Sequence, residues 1–161
     1  MGIFDISPFT WPQLLTALLV GLIVGLERQF RGKPVGIRTS TLITLGTYIY
    51  TVIGAQFTGH NADPSRIIGQ IITGIGFLGA GVMLARDGNV LGVTSAATIW
   101  VLAAIGVCIG MDRNGLAIMF AIIVVGVLSG VEVLENYFQI LTRGAYERFS
   151  DWKGRRHDDR N

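Results

Sequence analysis

Charge is what this sequence has least of. Asp, Glu, Lys and Arg make up 15% of its 161 residues, against about a quarter in soluble domains. Long stretches carry none at all, and a soluble helical bundle, whose helices need polar outer faces, is not expected. Cysteine is nearly absent. Cys108 alone can form no internal disulfide and no metal site, so it reads as a small buried hydrophobe. The two histidines, His60 and His157, stand apart in polar segments. No carboxylate falls in the middle of an apolar block, where a proton- or cation-coupled transporter usually carries one. The glycine run from Gly74 to Gly81 lacks a following Lys-Ser/Thr and lies in an apolar block, so it is no phosphate loop. A net charge of +2 gives no footprint for nucleic acid. No Lys or Arg precedes the first apolar block, so the charged region of a signal peptide is missing. No hydrolase, nucleotide-binding or metal-ligand spacing is visible; neither an enzyme nor a cofactor is expected.

What the chain does have is apolar residues, half of the total, with a mean hydropathy of +0.53. They come in blocks separated by polar turns: Pro12 to Leu26, Thr39 to Phe57, Arg66 to Ala85, Val93 to Gly110, and Leu116 to about Leu134. Blocks of this length match membrane-spanning helices. The reading is an all-α integral membrane helical bundle of five transmembrane helices. Residues 1–138 form the membrane domain and residues 139–161 a basic cytoplasmic tail. The first block covers only about 22 Å of a core about 30 Å thick. Its helix is expected to begin earlier, near Phe9, or the bilayer to thin there. Thr39 or Ser40 can cap the second helix, and Arg86 to Asn89 reads as a tight turn. Gly21 and Gly25, Gly106 and Gly110, and Gly126 and Gly130 are each spaced by four, the small-xxx-small pattern of close helix packing. The third block holds Gly74, Gly76, Gly79 and Gly81 as helix-packing residues. Its low helix propensity predicts a central position among close neighbours.

The segment Glu27 to Ser40 orients the rest. It holds four basic residues, with Pro34, Gly32 and Gly36 breaking any continuous helix. With five spans, eleven Lys and Arg fall on the side of this loop and the tail. Two, Arg66 and Arg113, fall on the other. The richer side is cytoplasmic by the positive-inside rule, which puts the N-terminus outside and the C-terminus inside.

The polar residues at the cytoplasmic ends of the blocks form the candidate functional ring: Glu27, Arg28, Arg31, Arg38 and Thr39 from the first loop, Asp87 and Asn89 from the second, and Thr94 and Thr98 just inside the fourth block. Thr94 and Thr98 share a helix face. Glu27 can pair with Arg38, and Arg38 can also pair with Asp87, in which case Lys should not replace it. On the outer side Arg66 and Gln70 lie one turn apart; Arg66 either faces the bundle or snorkels to the interface.

Three segments carry a family resemblance. Gly25-Leu26-Glu27-Arg28-Gln29 with Arg31-Gly32, Pro34 and Gly36-Ile37-Arg38-Thr39 is the first. Gln70 with Gly74-Ile75-Gly76-Phe77-Leu78-Gly79-Ala80-Gly81 is the second. Val90, Gly92-Val93-Thr94, Ala96-Ala97-Thr98, Trp100, Ala104-Ile105-Gly106 and Gly110 form the third. In this order, over roughly residues 13–130, they resemble the signatures of the MgtC/SapB membrane proteins. Ser40 departs from the His or Asn often found there, and the soluble ACT-like domain that some members carry after the last span is not expected on this chain.

The resemblance implies a bacterial inner (cytoplasmic) membrane protein of magnesium homeostasis, linked to growth in low magnesium and to virulence or stress. It implies action on other membrane proteins such as the ATP synthase, rather than Mg²⁺ movement by the protein itself. The expected partners are the lipid bilayer, other membrane proteins and further copies in a homo-oligomer. The alternative is a small ion transporter or channel, with the glycine run and Thr94 and Thr98 lining a path.

Overall fold

The computed structural model describes residues 6–56, 64–86, 89–131 and 133–134. Its elements are helices α1 (Trp11–Phe30), α2 (Ile37–Gln56) and α3 (Pro64–Val82), strands β1 (Leu84–Arg86) and β2 (Asn89–Leu91), and helices α4 (Val93–Gly110) and α5 (Asn114–Val131). The chain divides into two compact units, Met1–Val125 and Gly126–Asn161. Of the second, residues 126–131, 133 and 134 are described, all helical; the expected basic tail lies outside the described residues. Helices α1, α3, α4 and α5 are each long and apolar enough to cross a membrane. Helix α2 matches α1 in length, at 20 residues. Its Ser and Thr content lowers its hydropathy, and four of those residues, Ser40, Thr44, Thr47 and Thr51, are buried.

Helix α1 starts where Thr10 Oγ1 accepts the Gln13 N–H at 3.4 Å and Pro12 occupies the first turn. Its 20 residues reach about 30 Å, enough to cross a hydrocarbon core. The added length is not at the expected end: the helix starts at Trp11 rather than near Phe9 and runs past Leu26 to Phe30. It ends in a Schellman arrangement. Lys33 N–H reaches Arg28 O at 3.0 Å and Gly32 N–H reaches Gln29 O at 3.1 Å, with Gly32 at φ +62. Val35, buried and at φ +69, then turns the chain directly into α2. A β-branched residue in this region is a genuine outlier.

Because the turn is so abrupt, α2 begins at Ile37, before either expected cap. Thr39 is exposed, and Ser40 is already helical, its Oγ donating to Val35 O at 3.0 Å. The capping role passes to Gln29 of α1, whose Oε1 accepts the Ile37 N–H at 3.4 Å.

The close-packed core lies along α2, flanked by α1 and α4. An added Cβ at Gly21 or Gly25 would collide with the backbone of Thr41 or Ile37. One at Gly106 would stand 2.7 Å from both Thr44 O and Thr47 Cβ, and one at Gly110 would stand 2.6 Å from Thr51 Cβ. Both pairs therefore act as the close-packing seams their spacing suggests.

The expected central position of α3 is not found. Gly79 is buried, and an added Cβ there would stand 3.7 Å from Ala96 Cβ of α4, but one at Gly74, Gly76 or Gly81 would meet nothing within 4 Å. The centre goes to α2 because its hydroxyls must be enclosed and because the glycines of α1 and α4 let it approach them closely. The third helix also stops short of Ala85. Leu84 and Ala85 pair with Leu91 and Val90 in an antiparallel hairpin. Arg86 and Asn89 oppose each other at its tip, as the expected turn requires, with Asp87 and Gly88 outside the described residues. Gly92, at φ +88, closes the hairpin against Val82 O, which a Cβ would meet at 2.5 Å.

Candidate functional site: a buried polar spine ending in an arginine

Ser40, Thr44, Thr47, Tyr48 and Thr51 recur at i, i+4, i+7, i+8 and i+11, so they share one face of α2. All five are buried. Away from water each hydroxyl needs a local partner, and the nearest is the carbonyl one turn back. Thr44 Oγ1 donates to Ser40 O at 3.0 Å and Thr51 Oγ1 to Thr47 O at 2.8 Å. In α1, Thr16 Oγ1 donates to Pro12 O at 2.8 Å; in α4, Thr98 Oγ1 donates to Thr94 O at 2.8 Å.

At the end away from the basic loop, Gln13 is the hub. Its Oε1 accepts from Thr10 Oγ1 at 2.9 Å and from the Tyr48 O–H at 3.2 Å, and its Nε2 donates to Asp112 Oδ1 at 3.2 Å. Tyr48 Oη accepts the Thr10 N–H at 3.3 Å. Asp112 sits at φ +60 in the turn after α4, where Asp112 N–H reaches Ile109 O and Arg113 N–H reaches Cys108 O, both at 2.9 Å. An aspartate in this glycine-favoured position ties the α4–α5 turn to α1.

At the basic-loop end the spine terminates in Arg28, only 4% exposed. One guanidinium nitrogen donates to Ser95 Oγ of α4 at 2.7 Å, and Nε has no partner among the described residues. A cation buried with so few acceptors is costly. Its position in the last turn of α1, facing the negative end of that helix dipole, offsets part of the cost. Beside it, the Glu27 side chain is 7% exposed, with Oε1 2.7 Å from Arg31 Nε. Neither Glu27 oxygen accepts an aligned hydrogen bond. The contact is ionic but geometrically loose. What results is a fixed positive group joining α1 to α4, next to an incompletely satisfied carboxylate.

The structure therefore redistributes the expected ring. Glu27, Arg28 and Arg31 do come together, with Ser95 added. Thr98 lies in the interior and Thr94 is exposed. Arg38 is exposed and is in no ion pair among the described residues. Its expected pairing with Glu27 is replaced by the intrahelical Glu27–Arg31 pair, because residues four apart in α1 meet without crossing a loop. Asp87 is outside the described residues, and of Asn89 only its place in β2 is described. Arg66 and Gln70 are both exposed rather than facing the bundle centre. Sequence reading missed Ser95, Gln13 and Tyr48. The α2 row of hydroxyls was detectable from its helical spacing; the Arg28–Ser95 contact, 67 residues apart in sequence, had no local signal.

A profile of the MgtC family matches residues 14–137. The chain belongs to the MgtC family. It is 41% identical over 138 residues to "Protein MgtC" of Brucella abortus, covering 83% of this chain and 57% of that protein. It is 39% identical over 137 residues to "Putative magnesium transporter YhiD" of Escherichia coli, covering 81% and 60%. It is 40% identical over 117 residues to "Protein MgtC" of Salmonella typhimurium, covering 71% and 50%. The chain thus spans about half to three-fifths of the length of these curated relatives. No solved structure gives a significant match. As an MgtC-family chain with long apolar helices, it is a multi-pass membrane protein with a magnesium-related family context.

Proposed function

We propose that this protein is a non-enzymatic membrane regulator of adaptation to low magnesium, acting in the bacterial inner membrane through contacts with other membrane proteins, the ATP synthase among them. The observation that carries this reading is the division of labour between α2 and α3. The polar interior is shut: at Gly106 and Gly110 there is no room for one methyl between α2 and α4, and the hydroxyls donate to neighbouring carbonyls. By contrast, α3 leaves Gly69, Thr73, Gly76 and Ala80 exposed along one row. In lipid, small residues in such a row favour helix–helix contact. This supports contact with partner proteins and with further copies of the chain. Virulence or stress adaptation would follow from the magnesium link.

A second reading, a small Mg²⁺ transporter or channel, is favoured by the name of the Escherichia coli relative. It needs a path past Thr94 and Thr98, and α2 and α4 leave little space beyond Thr98. Two measurements separate the readings. In liposomes holding a Mg²⁺-sensitive dye, the regulator gives no protein-dependent uptake and the transporter does. In magnesium-limited cells, photo-crosslinkers at Gly69 and Gly76 should capture membrane proteins; crosslinks to lipid alone, together with dye uptake, would overturn the first reading.

A further inference from the structure

Between α2 and α3 the described residues leave a groove of about 760 Å³, lined almost entirely by apolar side chains. That volume is in the range of pockets for small ligands, about 300–1,000 Å³. An α-helix with its side chains is about 10–12 Å across, so a helix would cover this groove rather than enter it. Two glycines hold it open. Gly46 lies nine residues past the start of α2 and Gly74 ten past the start of α3, both near mid-helix, and a Cβ at either meets nothing within 4 Å. Of the polar lining residues, Thr39, Tyr50 and Gln70 lie away from this waist, toward the helix ends, and Thr47, next to Gly46, is only 3% exposed. At the basic-loop end, next to Thr39, Arg38 stands exposed and without an ion pair among the described residues.

We propose that this groove binds an anionic phospholipid, with its phosphate at Arg38 and one acyl chain running past Leu42 to the Gly46–Gly74 waist. The dimensions agree. Arg38 to Gly46 is about 12 Å along the helix at 1.5 Å per residue, close to half of a hydrocarbon core about 30 Å thick. The charge agrees as well: an uncompensated guanidinium at the headgroup level attracts anionic lipid. The assignment holds in either orientation of the protein, and it does not depend on the regulatory reading, because it concerns lipid rather than a protein partner.

The test is native mass spectrometry of the full chain released from nanodiscs containing equal phosphatidylglycerol and phosphatidylcholine with identical acyl chains. The wild type should retain phosphatidylglycerol preferentially. Arg38→Gln should lower the phosphatidylglycerol-to-phosphatidylcholine ratio by about fivefold, the factor expected for one basic residue at an anionic surface, while still retaining lipid. Gly74→Leu, whose Cβ meets nothing within 4 Å and whose side chain would fill the waist, should lose both lipids. Gly81→Leu, where an added Cβ also meets nothing within 4 Å and which is absent from the groove lining, should behave as wild type and serves as the folding control. Equal retention of the two lipids by the wild type, or undiminished retention by Gly74→Leu, would overturn the proposal. So would a lipid-free dimer that Gly74→Leu converts to monomer, since the groove would then belong to a second copy.

Discussion

At the scale of single residues, Arg28 and Arg38 illustrate how differently two neighbouring arginines can be used. Arg28 is buried and, among the described residues, its side chain makes one hydrogen bond, to Ser95. A hydrogen bond to a charged group contributes about 1.5–3 kcal/mol, so Ser95→Ala should lower the thermal midpoint of the detergent-solubilised protein measurably. Arg28→Lys should do the same, because an ammonium on a flexible stem does not reproduce the planar fork. In the double variant Arg28→Lys with Ser95→Ala the two losses should overlap rather than add. Full additivity would show that the two side chains do not act as a unit. Arg38 is exposed and in no ion pair among the described residues, so Arg38→Lys should keep wild-type membrane abundance and wild-type growth in low magnesium. Lost growth at normal abundance would restore a geometric role for its guanidinium.

At the scale of elements, the glycines sort by what faces them. Those of α1 and α4 are filled by the backbone and side chains of α2, whereas most of those in α3 face open space. Gly106→Ala should therefore destabilise by overpacking, about 1–3 kcal/mol. Gly76→Ala should be neutral or stabilising by up to about 1 kcal/mol, from helix propensity. Comparing the temperatures at which the two variants lose their monodisperse peak on size exclusion checks this. An equal loss at both sites would mean that the α2–α4 seam is not the core of the unit. The same sorting shows why low propensity misplaced α3. A glycine-rich helix needs neighbours, but in a membrane those neighbours can be lipid or another chain, and propensity does not say which.

At the scale of the whole molecule, the question is which way it faces. The eleven-to-two division of basic residues predicts that the α1–α2 loop is cytoplasmic and the α4–α5 turn is outside. Lys33 and Arg113 are exposed in those two connections and make suitable reporters; Gly32, at φ +62, would be strained by any side chain. In a Cys108→Ser background, Arg113→Cys in intact spheroplasts should react with a membrane-impermeant maleimide. Lys33→Cys should react only after permeabilisation. The reverse pattern would invert the topology.

By itself the sequence determined the membrane class, the number of helices, most of their limits and two of the packing seams. Each depends on composition or on spacing within one helix, and the absence of water in a bilayer makes such local signals nearly sufficient. Only the tertiary structure decided that α2 lies at the centre, that Arg28 meets Ser95 rather than Arg38 meeting Glu27, and that α3 stands beside an open groove. Those outcomes depend on which helices lie side by side. Within one helix, geometry brings residues four apart together whatever surrounds them. Between helices, a contact forms only where backbone approach, side-chain volume and the need to satisfy buried polar groups agree, and no spacing along the chain encodes that agreement.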